Sequence, residues 1–202
     1  MTDHLSDERV ERWLRQLVTT PGLTSVRDLD EARRVHVEGS LTAAPLIERG
    51  PVVDVGSGGG SPGFPLAAAL PDLQFHLLES SRKKCAFLGD VADDFPNVEV
   101  LCERAEKHGA GAGRDRYATA VSRALAPPSV AAEWCLPLVE PGGKVVLFVG
   151  PTAEPEPVAR VAEQLGAEGP DELHGFFLLH KVQPTPAGFP RRPGIAKKRP
   201  LA

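Results

Sequence analysis

VVDVGSGGGSPG, from Val52 to Gly63, sets a short apolar run against a burst of glycine, and a helix-compatible run from Phe64 to Leu70 follows it. That order predicts strand, tight turn and helix, with Gly56, Gly58, Gly59, Gly60 and Gly63 leaving bare backbone for a ligand to lie against. Two frames compete for the ligand. Gly58, Gly60 and Gly63 match the G-x-G-x-x-G of nicotinamide cofactors by count, but the glycine that follows the strand directly is Gly56, and Pro62 falls inside the turn. The other frame runs Asp54-x-Gly56-x-Gly58-x-Gly60, an acid at the strand end before a looser loop. It suits a ligand without a pyrophosphate, such as S-adenosylmethionine. Asp54 would orient the cationic methionine end, directly or through water, and the loop N–H groups would receive the carboxylate. Glu79 ends the next apolar run roughly 20 residues on, where an acceptor-only carboxylate can take both ribose hydroxyls. NAD sites share that feature, so it points to an adenosine cofactor without choosing between the two.

Outward from this stretch the pattern alternates. Strands are predicted over Leu73–Ser80, Val98–Arg104, Tyr117–Leu125, KVVLFVG after a turn at Gly142-Gly143, and Gly175–Val182. Between them lie helical stretches: RKKCAFLGDVADDF, with Ala86, Phe87, Val91 and Phe95 as the expected buried face, SVAAEWCLPLV, and PEPVARVAEQLG. Strands separated by helices of this length pair in parallel through right-handed crossovers. The expected fold is therefore α/β: a doubly wound, mostly parallel Rossmann-like sheet with its ligand crevice at the carboxyl ends of the strands. Upstream, Val10, Trp13, Leu14, Leu17 and Val18 share one helical face, and a second helical stretch from about Asp28 is expected to break or end near Gly39. The chain divides into a short helical N-terminal cap over 1–48, an α/β domain over 49–183, and a basic, proline-rich tail over 184–202 expected to lie over the surface.

The bulk composition excludes several classes. The chain has 202 residues, 42% hydrophobic and 25% charged, with a net charge of −4, so it is no general electrostatic magnet for nucleic acid. Cation is concentrated instead in the tail, at Arg191, Arg192, Lys197, Lys198 and Arg199, without an acid between them. No run approaches the ~18 apolar residues of a membrane helix. Cys85, Cys102 and Cys135 have no metal-ligand spacing and read as reduced core thiols, which places the protein in the cytoplasm without a metal.

VVDVGSGGGSPGFPLAAALP, LLESSRKKCAFL, CERAE, VSRALA and TPAGFPRRPGIAKKRPL, in that order, resemble the bacterial 16S rRNA guanine-N7 methyltransferase family, also called the glucose-inhibited division protein B family. The resemblance runs from about Leu23 to Leu201. It implies a class I methyltransferase that uses S-adenosylmethionine, with 16S rRNA or the small ribosomal subunit as partner. It further implies cofactor contacts at Gly56, Gly58, Ser61 and Glu79, the adenine beside Ala105 and Glu106, and Arg123 at the cofactor and target-base side as the catalytic residue. RNA-facing positions would be His36, Lys83 and Arg104. Guanine N7 already carries an in-plane lone pair, so such an enzyme works by positioning and needs no general base.

The family pattern is altered at four places. Gly22 replaces an asparagine, Gly39 an aspartate, Val149 a lysine and His174 an arginine. All four belong to the substrate side. Two other functions therefore stay open at this stage: a methyltransferase for another nucleic acid or a small molecule, and a non-catalytic relative that binds S-adenosylmethionine or RNA. The expected oligomeric state is a monomer.

Overall fold

The computed structural model describes residues 7–202; the first six residues of the expected cap lie outside the described residues. Helix α1 (Glu8–Thr19) starts at Asp7, whose carboxylate accepts from Arg9 N at 2.9 Å, with Glu8 and Glu11 in the first turn where the helix dipole favours acids. Val10, Trp13, Leu14 and Leu17 are buried as their spacing predicts, each burial stabilising by about 1.5–3 kcal/mol. Helix α2 (Leu29–Ala32) is capped by Asp28 and runs into a π-helical stretch, Arg33–Glu38, then α3 (Gly39–Leu41). At Gly39, whose φ of −60° and ψ of −31° are ordinary helical values, the π-helical stretch gives way to α3, which ends two residues on at Leu41, near the expected break.

The central sheet contains β1 (Val52–Val55), β2 (Phe75–Glu79), β3 (Val98–Cys102), β4 (Tyr117–Arg123), β5 (Val139–Phe148), β6 (Ala167–Leu173) and β7 (Phe176–Lys181). Their spatial order is β3-β2-β1-β4-β5-β7-β6. The first five pair in parallel, and β7 is antiparallel to both neighbours. Between the strands run α4 (Gly63–Ala69), α5 (Arg82–Ala92), α6 (Ala105–Gly109), α7 (Pro128–Cys135) and α8 (Pro155–Gln164). One core, with Trp13, Phe64, Leu77 and Leu88, packs α1, α4 and α5 on one face of the sheet. A second, with Tyr117, Leu136, Val145 and Val161, packs α7 and α8 on the other. The order in which strands are laid down reverses between β1 and β4, with β2 and β3 to one side and β4 and β5 to the other, and this switch point opens the crevice.

Several expectations are corrected. β5 begins at Val139, before Gly142-Gly143: a register shift between Tyr117 and Thr119 absorbs the extra residues, as a bulge does. β6, AEGPDEL, was not expected, because it is acidic and holds Gly169-Pro170; it is an edge strand paired only with β7, where proline is tolerated. Val91 in α5 and Phe95 just beyond it are buried as expected and Phe87 is partly buried, but Ala86 is exposed, and Cys85 and Leu88 complete the buried face. The tail carries a short helix, α9 (Ile195–Lys198), with Ala196 buried. Cys85 and Cys102 form a disulfide between α5 and β3, with Cα atoms 5.7 Å apart, so only Cys135 is a free, buried thiol. Burial pushes the Cys135 thiol well up.

Candidate active site

The glycine loop lies over the carboxyl end of β1 and is fastened from several sides. Gly56 N and Ser57 N donate to Leu78 O at 2.8 and 3.2 Å, and Ser57 Oγ donates to Asp54 O at 2.8 Å. Trp13 Nε1 donates to Gly59 O at 2.8 Å, so the N-terminal cap grips the loop from outside. The glycines divide into two kinds. Side chains at Gly59, Gly60 and Gly63 would strike Leu17, Phe64 and Leu77, so these three are glycine for packing. Gly56 and Gly58, both with positive φ, line the cleft together with Gly59, and a Cβ at Gly56 would collide with Leu125. Of the expected cofactor residues, Gly56, Gly58, Ser61, Ala105, Glu106 and Arg123 line one or other cavity of the cleft, while Asp54, Gly60 and Glu79 lie behind that lining.

Asp54 is 1% exposed and sits beneath the loop. Its Oδ2 accepts from Gly63 N at 3.1 Å, at the start of α4, while its buried Oδ1 finds no donor among the described residues. Burial pushes this carboxyl up to about 7. Glu79, also buried, is more heavily used than its position predicts. Oε1 accepts from Ser80 N and Ser81 N, both at 2.8 Å, and Oε2 accepts from Gly58 N at 3.0 Å. Of about four lone-pair sites on a carboxylate, one stays open to a ribose hydroxyl. Glu79 therefore also holds the glycine loop to the end of β2.

Two cavities meet at Gly56. The first, of about 180 Å³, is walled by Val55, Leu78, Ala105, Leu125 and Trp134, with Glu103, Glu106 and Arg104 at the end of β3 and Gly194 and Lys197 from the tail. The second, of about 210 Å³, is lined by Leu17, Leu23, His36, Ser61, Lys84, Arg123 and Ala124. Ala124 has φ 53°, an uncommon value for a residue with a side chain, and it turns the chain sharply after Arg123.

Arg123 is pinned to the cap. Nη1 donates to Val35 O at 2.9 Å, and Nη2 donates to Ser61 Oγ at 2.5 Å and to His36 Nδ1 at 3.0 Å. A guanidinium only donates, so His36 Nδ1 accepts, the ring is neutral, and its Nε2–H donates to Thr24 Oγ1 at 2.8 Å. Burial, with the Arg123 cation beside it, brings His36 down to about 4. Burial also holds Arg123 below its ordinary value, partly offset by Asp54. The hydroxyls of Ser40 and Ser61 both donate to His36 O, which the π-helical turn presents to them.

The expected RNA-facing residues do not share one surface. His36 turns inward onto Arg123, Arg104 is exposed beside the first cavity, and Lys83 lies on the surface with Nζ 3.3 Å from Pro21 O. Lys84, not Lys83, lines the second cavity. Glu106 is buried and accepts from Gly194 N at 2.8 Å, and Arg191 of the tail pairs with the buried Glu133. Thr24, Ser40, Glu103, Leu125 and Trp134 were not read as site residues. Their contacts come from distant parts of the chain, and only Glu103, beside the Ala105-Glu106 pair, carried a local signal. The altered positions sort by place: Gly39 lies beside Arg123, whereas Val149 and His174 line one groove past β5. Among the described residues no group of three or more His, Cys, Asp or Glu is arranged to hold a metal, and no helix is long and apolar enough to cross a membrane.

The residues fit an S-adenosyl cofactor: a bare-backbone approach at Gly56 and Gly58, an apolar slot for a flat base, and a buried carboxylate with a free oxygen beneath the loop. Comparison with known proteins agrees. The profile of the family described as rRNA small subunit methyltransferase G matches residues 8–168. Ribosomal RNA small subunit methyltransferase G of Moorella thermoacetica is 39% identical over 197 residues, covering 89% of this chain and 82% of that one. The protein of the same name from Carboxydothermus hydrogenoformans is 38% identical over 213 residues, covering 95% and 90%. Among solved structures, Aeropyrum pernix fibrillarin with natively bound S-adenosyl-L-methionine matches with a TM-score of 0.53 at 16% identity, over 69% of this chain and 73% of that one. A precorrin-6y C5,15-methyltransferase from Geobacter metallireducens matches at 0.52 and 16%, over 82% and 92%. These two likenesses show the fold.

Proposed function

The chain belongs to the rRNA small subunit methyltransferase G family, and we infer that it is an S-adenosylmethionine-dependent methyltransferase whose acceptor is N7 of a guanine in 16S rRNA. The observation that carries this reading is the junction of the two cavities at Gly56: an apolar slot with carboxylates on one side, and a pocket holding the Arg123 cation on the other. S-adenosylmethionine, when bound, supplies an electrophilic methyl group on a sulfonium.

The chain's own residues position and shield. Glu79 fixes the loop and offers its remaining acceptor site to the ribose. Asp54 lies under the loop out of contact with solvent, its Oδ1 left free for the cationic end of the ligand. Arg123 is fixed by neutral partners, with no carboxylate within ion-pair distance among the described residues, so its charge stays directed at the second cavity. There it can donate to the O6 edge of a guanine. His36 is neutral near pH 7 and moves no proton. That suits N7, whose lone pair needs no base. Leu17 and Leu23 of the cap exclude water from the same pocket. The reaction requires no metal, and the protein is expected to act as a monomer in the cytoplasm.

Mapping modified nucleosides of 16S rRNA in strains with and without this gene tests the reading. One N7-methylguanine is expected to vanish on deletion. An unchanged 16S map, with a changed tRNA or small-molecule methylation, would reassign the acceptor.

A further inference from the structure

The Cys85–Cys102 bond lines neither cavity, yet it braces a wall of each. Cys85 lies in the first turn of α5, directly after Lys84, which lines the second cavity. Cys102 ends β3, directly before Glu103, Arg104 and Ala105, which line the first. Glu79 stands between the two cysteines: Cys85 Sγ is 3.3 Å from Glu79 O, and Cys102 is the register partner of Glu79. Glu79 in turn holds Gly58 N and the Ser80-Ser81 turn that leads into α5. β3 is an edge strand paired only with β2, so the sheet holds its end from one side alone. The bond supplies a second hold, closing a loop over a sequence separation of 17. The two sulfurs differ in access. Cys85 is 8% exposed, whereas Cys102 is an exposed residue and offers its sulfur to an attacking thiolate. The helix dipole at the first turn of α5 favours the negative charge on Cys85 as it leaves.

We propose that the Cys85–Cys102 pair is a site of reversible thiol–disulfide exchange with a dithiol reductant, and that its redox state sets the affinity of the cleft for the S-adenosyl cofactor. This control acts on the cofactor site inferred above and rests on that reading. An enzyme of ribosomal RNA works where thiols are kept reduced, and a disulfide in such surroundings is usually transient and redox-sensing. A thiolate of the reductant attacks Cys102 Sγ; the Cys85–Cys102 bond breaks, and Cys85 leaves as a thiolate and takes a proton. The second thiolate of the reductant then displaces Cys102, which takes the other proton. The protein gains two electrons and two protons, and the dithiol becomes a disulfide. With the bond closed, the end of β3 is fixed to α5 and the wall of the first cavity is preorganised. With it open, the cofactor must order Glu103, Arg104 and their turn as it binds.

Calorimetric titration of the full chain with S-adenosylhomocysteine, after treatment with oxidised glutathione and again after dithiothreitol, tests this. A thiol count under denaturant accompanies each state, and one thiol, Cys135, is expected after oxidation and all three after reduction. The oxidised chain is expected to bind about three- to tenfold more tightly, the scale of ordering one or two side chains, and to revert on each redox cycle. The double variant Cys85→Ser, Cys102→Ser is expected to bind like the reduced wild type under both treatments. Three thiols after oxidation, equal affinity in the two states, tighter binding when reduced, or a double variant that still responds to oxidant overturns the proposal while leaving the cofactor reading intact. Failure of the wild type to bind S-adenosylhomocysteine in either state would overturn the cofactor reading as well.

Discussion

The two sides of the cleft are built by different means. On the adenosine side, contacts are short in sequence or cross adjacent parallel strands: Gly56 to Leu78, Gly58 to Glu79, Glu79 to Ser80 and Ser81. Backbone N–H groups and a buried carboxylate do the fastening. On the acceptor side, one cation from β4 is held by Val35, His36 and Ser61, and His36 in turn by Thr24, so that the site depends on docking the cap against the sheet. The first arrangement belongs to the sheet and its turns; the second exists only when two separately formed parts meet. Cofactor binding should therefore survive loss of the cap's hold on Arg123, whereas methyl transfer should not; the adenosine side meets the cap through the Trp13 bond to Gly59 O.

The largest expected effect breaks the acceptor side alone. Arg123→Ala should lower methyl transfer by about 10²–10³, the usual cost of removing a preorganised donor, with cofactor affinity changed only a few-fold. A parallel loss in both, measured by label transfer and by calorimetry, would merge the two sides into one site. Next, Glu79→Ala breaks the adenosine side. It strands three backbone N–H groups and should weaken cofactor binding by about 1–3 kcal/mol, read by titration.

A pair of variants sharpens the contrast through pH. Asp54 rises from 3.8 to about 7 on folding, so the folded state holds more protons between those values, and Asp54's contribution to stability falls as pH rises through that window. His36 drops from 6.5 to about 4, so the unfolded state holds more protons there, and its contribution is lost as pH falls from 6.5 toward 4. Asp54→Asn should tilt the stability curve upward with pH and stabilise the free protein at pH 8 by about 1–3 kcal/mol, while weakening cofactor binding. His36→Gln should tilt it the other way. Chemical denaturation across pH 4–8 checks both slopes, and variants with the wild-type curve would remove these groups from the account.

The smallest effect repairs rather than breaks. A Cβ at Gly39 would stand 3.7 Å from Arg123 Nη1 and 3.5 Å from Arg34 O, ordinary contacts in a helix of ordinary φ and ψ. Gly39→Asp should add about 1 kcal/mol through helix propensity and a partly screened ion pair. That corresponds to a rise of about 2–4 °C in Tm for a chain of this size. No rise in a thermal melt would mean that the carboxylate does not reach Arg123.

The same division explains what could be read before any coordinates. The strand, glycine turn and helix from Val52 to Ala69, and Glu79 at its strand end, were legible because their signals are local: apolar runs, glycine, an acid at a fixed distance. The sorting of Gly56 and Gly58 from Gly60 was not, since it depends on Leu125 and Phe64 packing from elsewhere. The hold on Arg123 was invisible for the same reason, and so was the Cys85–Cys102 bond, in which two cysteines with no shared motif meet across α5 and β3. β6 was hidden by composition: an edge strand exposed enough to be acidic shows no apolar alternation.

The most direct measurement of the central claim is methyl transfer itself. Small ribosomal subunits lacking the modification are incubated with the purified chain and methyl-labelled S-adenosylmethionine, and the labelled nucleoside is identified by mass spectrometry. The account predicts that label enters 16S rRNA at a single guanine as N7-methylguanine, and that Arg123→Ala abolishes nearly all of it. Label at another atom, or none in RNA despite tight cofactor binding, would contradict it.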